Sequence, residues 1–424
     1  MNLSSSKFFY SLCCIILLQS GIFYTSKLQA QTNEQLASRV DELAKKLTDD
    51  NQVAGINILL IRDGKPVYNK AFGYSDRDKG IPLRTDHIFR IASQTKAITS
   101  LAALMLWEEG KFLLDDPVSK YIPAFKHMQV IDKFNASDST YTTIPAVKQI
   151  TIRDLFRHTS GIAYPVFSGN PIINAVYAKA GVGTGIGSRG ILKDKIILLA
   201  KQPLFHQPVE SFTYGLNDDV LGYLIEIWSG MSLDAFLKVR IFDPLGMKDT
   251  YFHLPMSKAN RLVGLTLKNK NGSFSNVSSA IYEGNDPAYP LADNIYLSGG
   301  AGLVSTTADY AKFLSLFITK GYAGEKKIIG SKTLALMLTN QLPDDIKTPS
   351  GLQFGLGVAL VTDKNKYLQT LSAGSFYWGG IFNTHYWVDK KLNLIGLIYT
   401  QQYDAYSEDI GHLFKNVIYS TIDE

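Results

Sequence analysis

The chain has 424 residues, 46% of them hydrophobic and 19% charged, a balance that suits a soluble globular protein with a large core. Its formal net charge of +5 is not gathered into a basic run, which excludes nucleic acid as a partner. The seven histidines include no HExxH or other close pair, so zinc chemistry has no support.

Residues 1–30 read as a secretory signal peptide. MNLSSSK is a short polar start, FFYSLCCIILL is an eleven-residue apolar run, and Ala30 precedes the expected cut. A spanning helix needs about 20 apolar residues. The competing reading is an uncleaved anchor, because Leu28 is not the small residue expected before such a cut. Cleavage removes Cys13 and Cys14, the only cysteines, so the mature chain has neither thiol nor disulfide and depends on its core. It also removes Lys7 and Lys27 and no acid, taking the net charge from +5 to +3. The expected destination is periplasmic or secreted, in a bacterium, with no stable membrane span after cleavage.

NEQLASRVDELAKKL has helical spacing, with Leu36, Val40, Leu43 and Leu47 on one face. Two β-rich runs then flank Asp63-Gly64, a hairpin signal. From about Ile98 to Leu291 the pattern is mostly helices and loops, and glycines follow several of the helices, as C-termini prefer. Within it, Gly185-x-Gly187-x-x-Gly190 matches the dinucleotide-binding pattern, but NAVYAKA before it is not a buried strand. It reads as a flexible loop. THYWVDKKLNLIGLIYTQ predicts a second hairpin turning near Lys390-Lys391, and DIGHLFKNVIYSTID a closing helix. Strands at both ends with helices between predict one α+β unit: an antiparallel sheet built from both termini, with flanking helices and an inserted, mostly helical subdomain. Its expected limits are 31–424, with the sheet over about 31–95 and 292–424 and the helical part over about 96–291.

Ser93-Gln-Thr-Lys96 stands at the front of a strongly apolar segment. On a helix, residues three apart share a face. Ser93 is therefore either a helix N-cap or a nucleophile next to an amine. About two or three Ser-x-x-Lys pairs are expected by chance, and the chain has two, at Ser4 and Ser93. For the nucleophile, the helix dipole favours developing negative charge, and a desolvated, neutral Lys96 would take the serine proton. Gly-x-Ser-x-Gly occurs nowhere, against an α/β-hydrolase. Tyr214, ahead of a helical run from Asn217, is a second candidate base, or else a partly buried phenol. Trp378-Gly379-Gly380, at the late hairpin, allows a backbone or ligand to approach closely, or marks a bulge.

The order Ser93-x-x-Lys96, Tyr214, then a glycine-rich strand resembles the penicillin-recognising serine hydrolases, the class C β-lactamases, D,D-peptidases and their esterase relatives. The framing segments FRIASQTKAITSLAALMLWEEGKFLLDDPVSKYIPAF, ITIRDLFRHTSGIAY, YGLNDDVLGYLIEIWSGMSLDAFLKVRIFDPLGMKDT, LSGGAGLVSTTADYAKFL and YWGGIFNTHYWVD are similar to family sequence. The resemblance implies a β-lactamase/transpeptidase-like fold. It implies that Ser93 is acylated, that Lys96 and Tyr214 share the proton, and that the backbone N–H groups of Ser93 and Ile381 form an oxyanion hole. His158 and the HTSG, Pro244-Leu245-Gly246 and GGAG segments look structural.

Two departures from the lactamase pattern bear on substrate. Where those enzymes carry Tyr-x-Asn, this chain has Leu216, with Asn217 one residue late; where they carry Lys-Thr-Gly, it has Trp378-Gly379-Gly380. The substrate-facing set is thus Asn217, Trp378, Gly379 and Gly380, without a cation for a substrate carboxylate. This resembles the family VIII carboxylesterases and favours small-molecule esters, cleaved without metal or cofactor. The alternatives are a β-lactamase or D,D-peptidase, with Asn217 replacing the missing contacts, and a non-catalytic penicillin-binding or sensor protein. Oligomeric state is not legible.

Overall fold

Both predicted hairpins form, and they pair with each other across the chain. In this computed structural model, which describes residues 34–422 apart from 136, 139, 168–170, 294–295, 347 and 405–406, one sheet organises the molecule. The candidate signal segment lies outside the described residues. In chain order the sheet strands are β1 (Gly55–Arg62), β2 (Lys65–Asp76), β3 (Ile81–Pro82), β4 (Gln353–Phe354), β5 (Ala359–Leu360), β6 (Phe376–Gly380), β7 (Thr384–Asp389) and β8 (Leu394–Tyr399). They lie side by side as β4-β5-β6-β7-β8-β1-β2-β3, each pair antiparallel.

The β1–β2 turn places Asp63 at φ 51° and Gly64 at φ 73°, the left-handed pair that a tight two-residue hairpin requires. β1 pairs with β8 from Asn57 opposite Tyr399 to Arg62 opposite Leu394, which joins the two ends of the chain. A central strand covered on both faces should be apolar almost throughout, and GINILLIR is. Ile56, Ile58 and Leu60 face a layer made by helix α1 (residues 34–49) and a C-terminal helix, through Leu36, Val40, Leu47, Phe414 and Ile418. Leu59, Tyr386, Val388 and Leu397 face the larger core on the other side.

That larger core is built around α2 (Thr95–Glu108), in which every residue from Thr95 to Leu106 is buried. A helix apolar all round belongs in the interior. It packs against α3 (Asn217–Ser229), which ends on Gly230 in the left-handed conformation. The last helix, α4 (Glu408–Tyr419), is capped by the Ser407 hydroxyl, which accepts from the Asp409 N–H. The region between the two halves of the sheet is made of helices and long loops. It also carries an unpredicted hairpin, Gln129–Asn135 with Thr140–Pro145, whose second strand is exposed throughout. Among the described residues no single helix is long and apolar enough to cross a membrane.

Candidate active site

Ser93 sits in a short 3₁₀ turn, Ala92–Gln94, wedged between the two-residue strand Phe89–Arg90 and α2. It does not cap α2: Gln94 holds the cap position and makes no side-chain capping bond. The Ser93 hydroxyl instead lies 3.4 Å from Lys96 Nζ. Ala92, just before it, takes φ 42°, an uncommon left-handed conformation for a residue with a Cβ. The turn is pinned on both sides. Arg90 is buried, with its guanidinium donating to the Val263 carbonyl at 2.8 Å and to the Pro287 carbonyl. Tyr310 Oη donates to the Gln94 carbonyl at 2.7 Å and Tyr399 Oη to the Gln94 side chain at 2.6 Å.

Lys96 is 1% exposed. Its Nζ donates to the Gly300 carbonyl at 2.6 Å and to Tyr164 Oη at 2.9 Å, besides the Ser93 contact, and lies 4.7 Å from the ring centre of Tyr214. An ammonium has three donors and no acceptor, so three oxygens and an aromatic face suit the charged form. Burial pulls the Lys96 pKa down, but Tyr164, Tyr214 and Asp218 outweigh it, and the group lies above the ordinary lysine value. This corrects the expectation of a neutral resting lysine: desolvation is real, but the partners around it win. Burial also raises the Tyr164 phenol, which keeps its proton in the resting site.

Tyr214 approaches from the other side. Its oxygen accepts from the Trp378 indole N–H at 3.2 Å, and its ring leans on Tyr164 at 5.6 Å between centres. Behind it, fully buried His158 stacks at 4.8 Å and its carbonyl accepts from the Thr213 N–H. Burial holds the His158 imidazole well below its usual pKa, hence neutral. Asn217 donates to His158 Nδ1 at 2.8 Å, and its amide oxygen accepts from Ser160. The structure thus keeps Asn217, 0% exposed, beneath Tyr214 and does not bring it to the cavity. The one-residue shift from the lactamase pattern sends the amide into the core.

Trp378, Gly379, Gly380 and Ile381 reach the opposite wall, at the end of β6. A Cβ on Gly380 would stand 2.4 Å from the Ile91 carbonyl, so only glycine lets the strand edge lie against the turn that carries Ser93. The cavity between these walls has a volume of about 350 Å³. Besides Ser93, Tyr164, Tyr214 and Trp378, Phe167, Thr184, Ile186 and Ala301 line it, and the lining includes no Asp, Glu, Lys, Arg or His. The Gly185–Gly190 loop is therefore a wall of the site. It is irregular, as expected, but buried from Gly185 to Ser188, with Ile186 2% exposed and the Ile186 carbonyl accepting from Asn285. Among the described residues no three His, Cys, Asp or Glu side chains are grouped to hold a metal.

With this geometry in place, comparison with known proteins is informative. The Beta-lactamase family profile matches residues 40–413. The chain belongs to the Beta-lactamase family. It is a serine hydrolase of β-lactamase fold. Among similar members, Protein Rv1367c of Mycobacterium tuberculosis is 29% identical over 85% of this chain and 88% of its own length. Esterase EstB of Burkholderia gladioli is 27% identical over 91% of this chain and 95% of its own. The structure of EstCE1, a hydrolase with promiscuous acyltransferase activity, superposes with a TM-score of 0.78 at 25% identity, covering 91% of this chain and 99% of that one.

Two residues that touch Lys96 escaped the sequence reading. Tyr164 closes the segment ITIRDLFRHTSGIAY, and its spacing from His158 was the only signal for it. Gly300 lies in the GGAG segment expected to be structural, yet its carbonyl makes the shortest contact to Lys96 Nζ. A backbone carbonyl has no sequence signature.

Proposed function

We propose that this chain is an exported serine esterase that works through a Ser93 acyl-enzyme. The observation that carries the reading is the neutral, aromatic cavity against which Ser93, Tyr164, Tyr214 and the Trp378-Gly379-Gly380 edge converge. Once the Lys96–tyrosine cluster has released one proton to solvent, Ser93 Oγ attacks the ester carbonyl carbon and its own proton passes to that cluster. The Ser93 and Ile381 N–H groups receive the oxyanion, donors typically worth about 3 kcal/mol each at the transition state. The alcohol leaves with the proton returned from the cluster. Water then attacks the acyl group, losing its proton to the cluster, and the acid departs as Ser93 is restored. Tyr214 is suited to the water step, because the Trp378 N–H already donates to its oxygen and stabilises charge developing there.

Ester selectivity follows from what the wall omits. A β-lactam or cell-wall peptide bears a carboxylate, and burying it beside Trp378 without a cation is costly. The kinship with the esterase EstB supports esters, and the promiscuous acyltransferase activity of EstCE1 supports transfer to an alcohol as a companion reaction. The N-terminal leader supports a periplasmic or secreted location, and the mature chain then starts at Gln31. The β-lactamase or D,D-peptidase reading loses its substitute contact with Asn217 turned into the core. A non-catalytic sensor has no need of the whole Ser93–Lys96–tyrosine arrangement.

The test assays the mature chain and Ser93→Ala with a short-chain nitrophenyl ester and a chromogenic cephalosporin. Ester turnover well above cephalosporin turnover, both lost in Ser93→Ala, is the expected result. Cephalosporin hydrolysis as fast as ester hydrolysis would overturn the ester reading, and turnover surviving in Ser93→Ala would overturn the site.

A further inference from the structure

Two adjacent carboxyls on α3, Asp218 and Asp219, are buried behind Lys96, and the mechanism above uses neither. Asp219 Oδ1 accepts from Tyr296 Oη at 2.8 Å and from Ser298 Oγ at 2.6 Å. The Ser298 hydroxyl in turn accepts from the Ala301 N–H at 2.9 Å, and the Ser298 carbonyl accepts from the Gly302 N–H at 3.0 Å. The carboxylate therefore braces the turn whose Gly300 carbonyl accepts from Lys96 and whose Ala301 lines the cavity. Its Oδ2 faces the reactive cluster directly. A Cβ on Gly300 would lie 2.6 Å from Asp219 Oδ2 and 3.3 Å from both Lys96 Nζ and Tyr164 Oη, so all three groups border one small space.

We propose that Asp219 is a positioning residue for acyl transfer, bracing the Gly299–Gly302 turn against Lys96 and supplying the buried negative charge opposite the Lys96 ammonium. This rests on the Ser93 esterase reading. A buried carboxylate without a cation is unfavourable by several kcal/mol, and Lys96 is the cation buried beside this one. The titratable groups facing Asp219 are Tyr296 from the bracing segment, Lys96 from α2, Tyr164, and its neighbour Asp218, whose Oδ2 lies 3.5 Å from His158 Nε2; the Tyr214 ring lies against Lys96. Burial raises both carboxyls, Asp218 to about 8; against it Ser298, Lys96 and Tyr296 pull Asp219 back down, and Lys96 and Ser100 pull Asp218 down. Asp219, with two hydroxyl donors at 2.6 and 2.8 Å against the single Ser100 donor at 3.3 Å on Asp218, is the carboxyl whose charged form is better supported by hydrogen bonds.

The experiment measures pH profiles of kcat and KM on a nitrophenyl ester from pH 6 to about 12, with uncatalysed hydrolysis subtracted, so that the range reaches the limb of a lysine held above its ordinary value. Asp219→Asn keeps the shape and the acceptor oxygen but removes the charge. Without it Lys96 gives up its proton more readily, so the midpoint of the rising limb should move down by about one pH unit, a tenfold change in the protonation constant. The plateau kcat should fall about tenfold with KM within about twofold. A loss of kcat or of thermal stability with an unmoved midpoint would mean a merely structural residue and overturn the proposal. Should Asp219→Asn fail to fold, Tyr296→Phe carries the test: kcat about threefold lower at constant KM supports the brace, and unchanged kcat overturns it. Ser93→Ala in parallel separates the two levels. Turnover surviving there defeats the esterase reading and this inference together; its loss there with an unmoved Asp219→Asn profile defeats the inference alone.

Discussion

Tyr164 Oη stands 2.9 Å from Lys96 Nζ, nearer than Ser93 Oγ at 3.4 Å. The phenol in direct hydrogen bond with the lysine is thus Tyr164, while Tyr214 offers Lys96 its ring face. Hydrogen bonds to charged groups are worth about 1.5–3 kcal/mol. Tyr164→Phe is expected to lower the acylation rate about 10- to 100-fold at nearly constant KM, read from the burst phase with a nitrophenyl ester. Tyr214→Phe should fall more heavily on deacylation and let acyl-enzyme accumulate.

Because Lys96 rests as an ammonium, the cluster must shed a proton before it can accept one from Ser93. The ester kcat/KM should therefore keep rising above about pH 8, since the lysine lies above its usual value. A profile already flat from pH 6 upward would contradict that charge state.

Gly380 predicts a steric failure with little effect on the fold. Adding a methyl group there meets the Ile91 carbonyl at 2.4 Å and Thr384 Oγ1 at 2.5 Å. Gly380→Ala should push the Ser93 turn and the β6 edge apart, and misplacement on the order of 1 Å costs about 100-fold in rate. Kinetics beside far-UV circular dichroism checks it: activity drops and helix content stays.

Ile186 closes one wall of the cavity. Ile186→Ala should move the preference toward longer acyl chains by roughly 10-fold, since each methylene in an apolar pocket is worth about 1–3 kcal/mol. The same change should cost stability by about 2–4 kcal/mol, as buried truncations do. A series of nitrophenyl esters of increasing length reads the first effect, and urea unfolding the second.

Asp218 predicts how stability responds to pH. Burial raises its folded pKa to about 8 from an ordinary 3.8, so the folded state holds this proton where the unfolded chain has released it. The stabilisation is present below about pH 4 and lost as pH rises toward about 8. Asp218→Asn should flatten the decline in unfolding free energy across that window, measured by urea titration at a series of pH values.

Much of this fold was legible because its signals are local. Asp63-Gly64 states a turn, GINILLIR states a strand covered on both faces, and Leu36, Val40 and Leu47 state one buried helix face. The exposed hairpin at Gln129–Pro145 was not legible, since TYTTIP buries nothing and leaves no alternation to read. In the site, Ser93, Lys96, Tyr214 and Trp378 stand out as residue types in order. What escaped depends on distant segments meeting: the Gly300 carbonyl on Lys96, and Asn217 drawn into the core by Ser160 and His158. A side chain's identity is written in the sequence, but the direction it faces is settled by its neighbours.

The pairing of β1 with β8 ties the chemistry to completion of the chain. Ser93 and Lys96 emerge early in synthesis, yet the edge they need, at Gly380, is held through β7 and β8 to a strand near the other end. Such long-range closure is slow compared with forming α2. A nascent or unfolded polypeptide therefore carries the nucleophile and the lysine with no cavity around them. It stays chemically silent until its last strand is docked against the first.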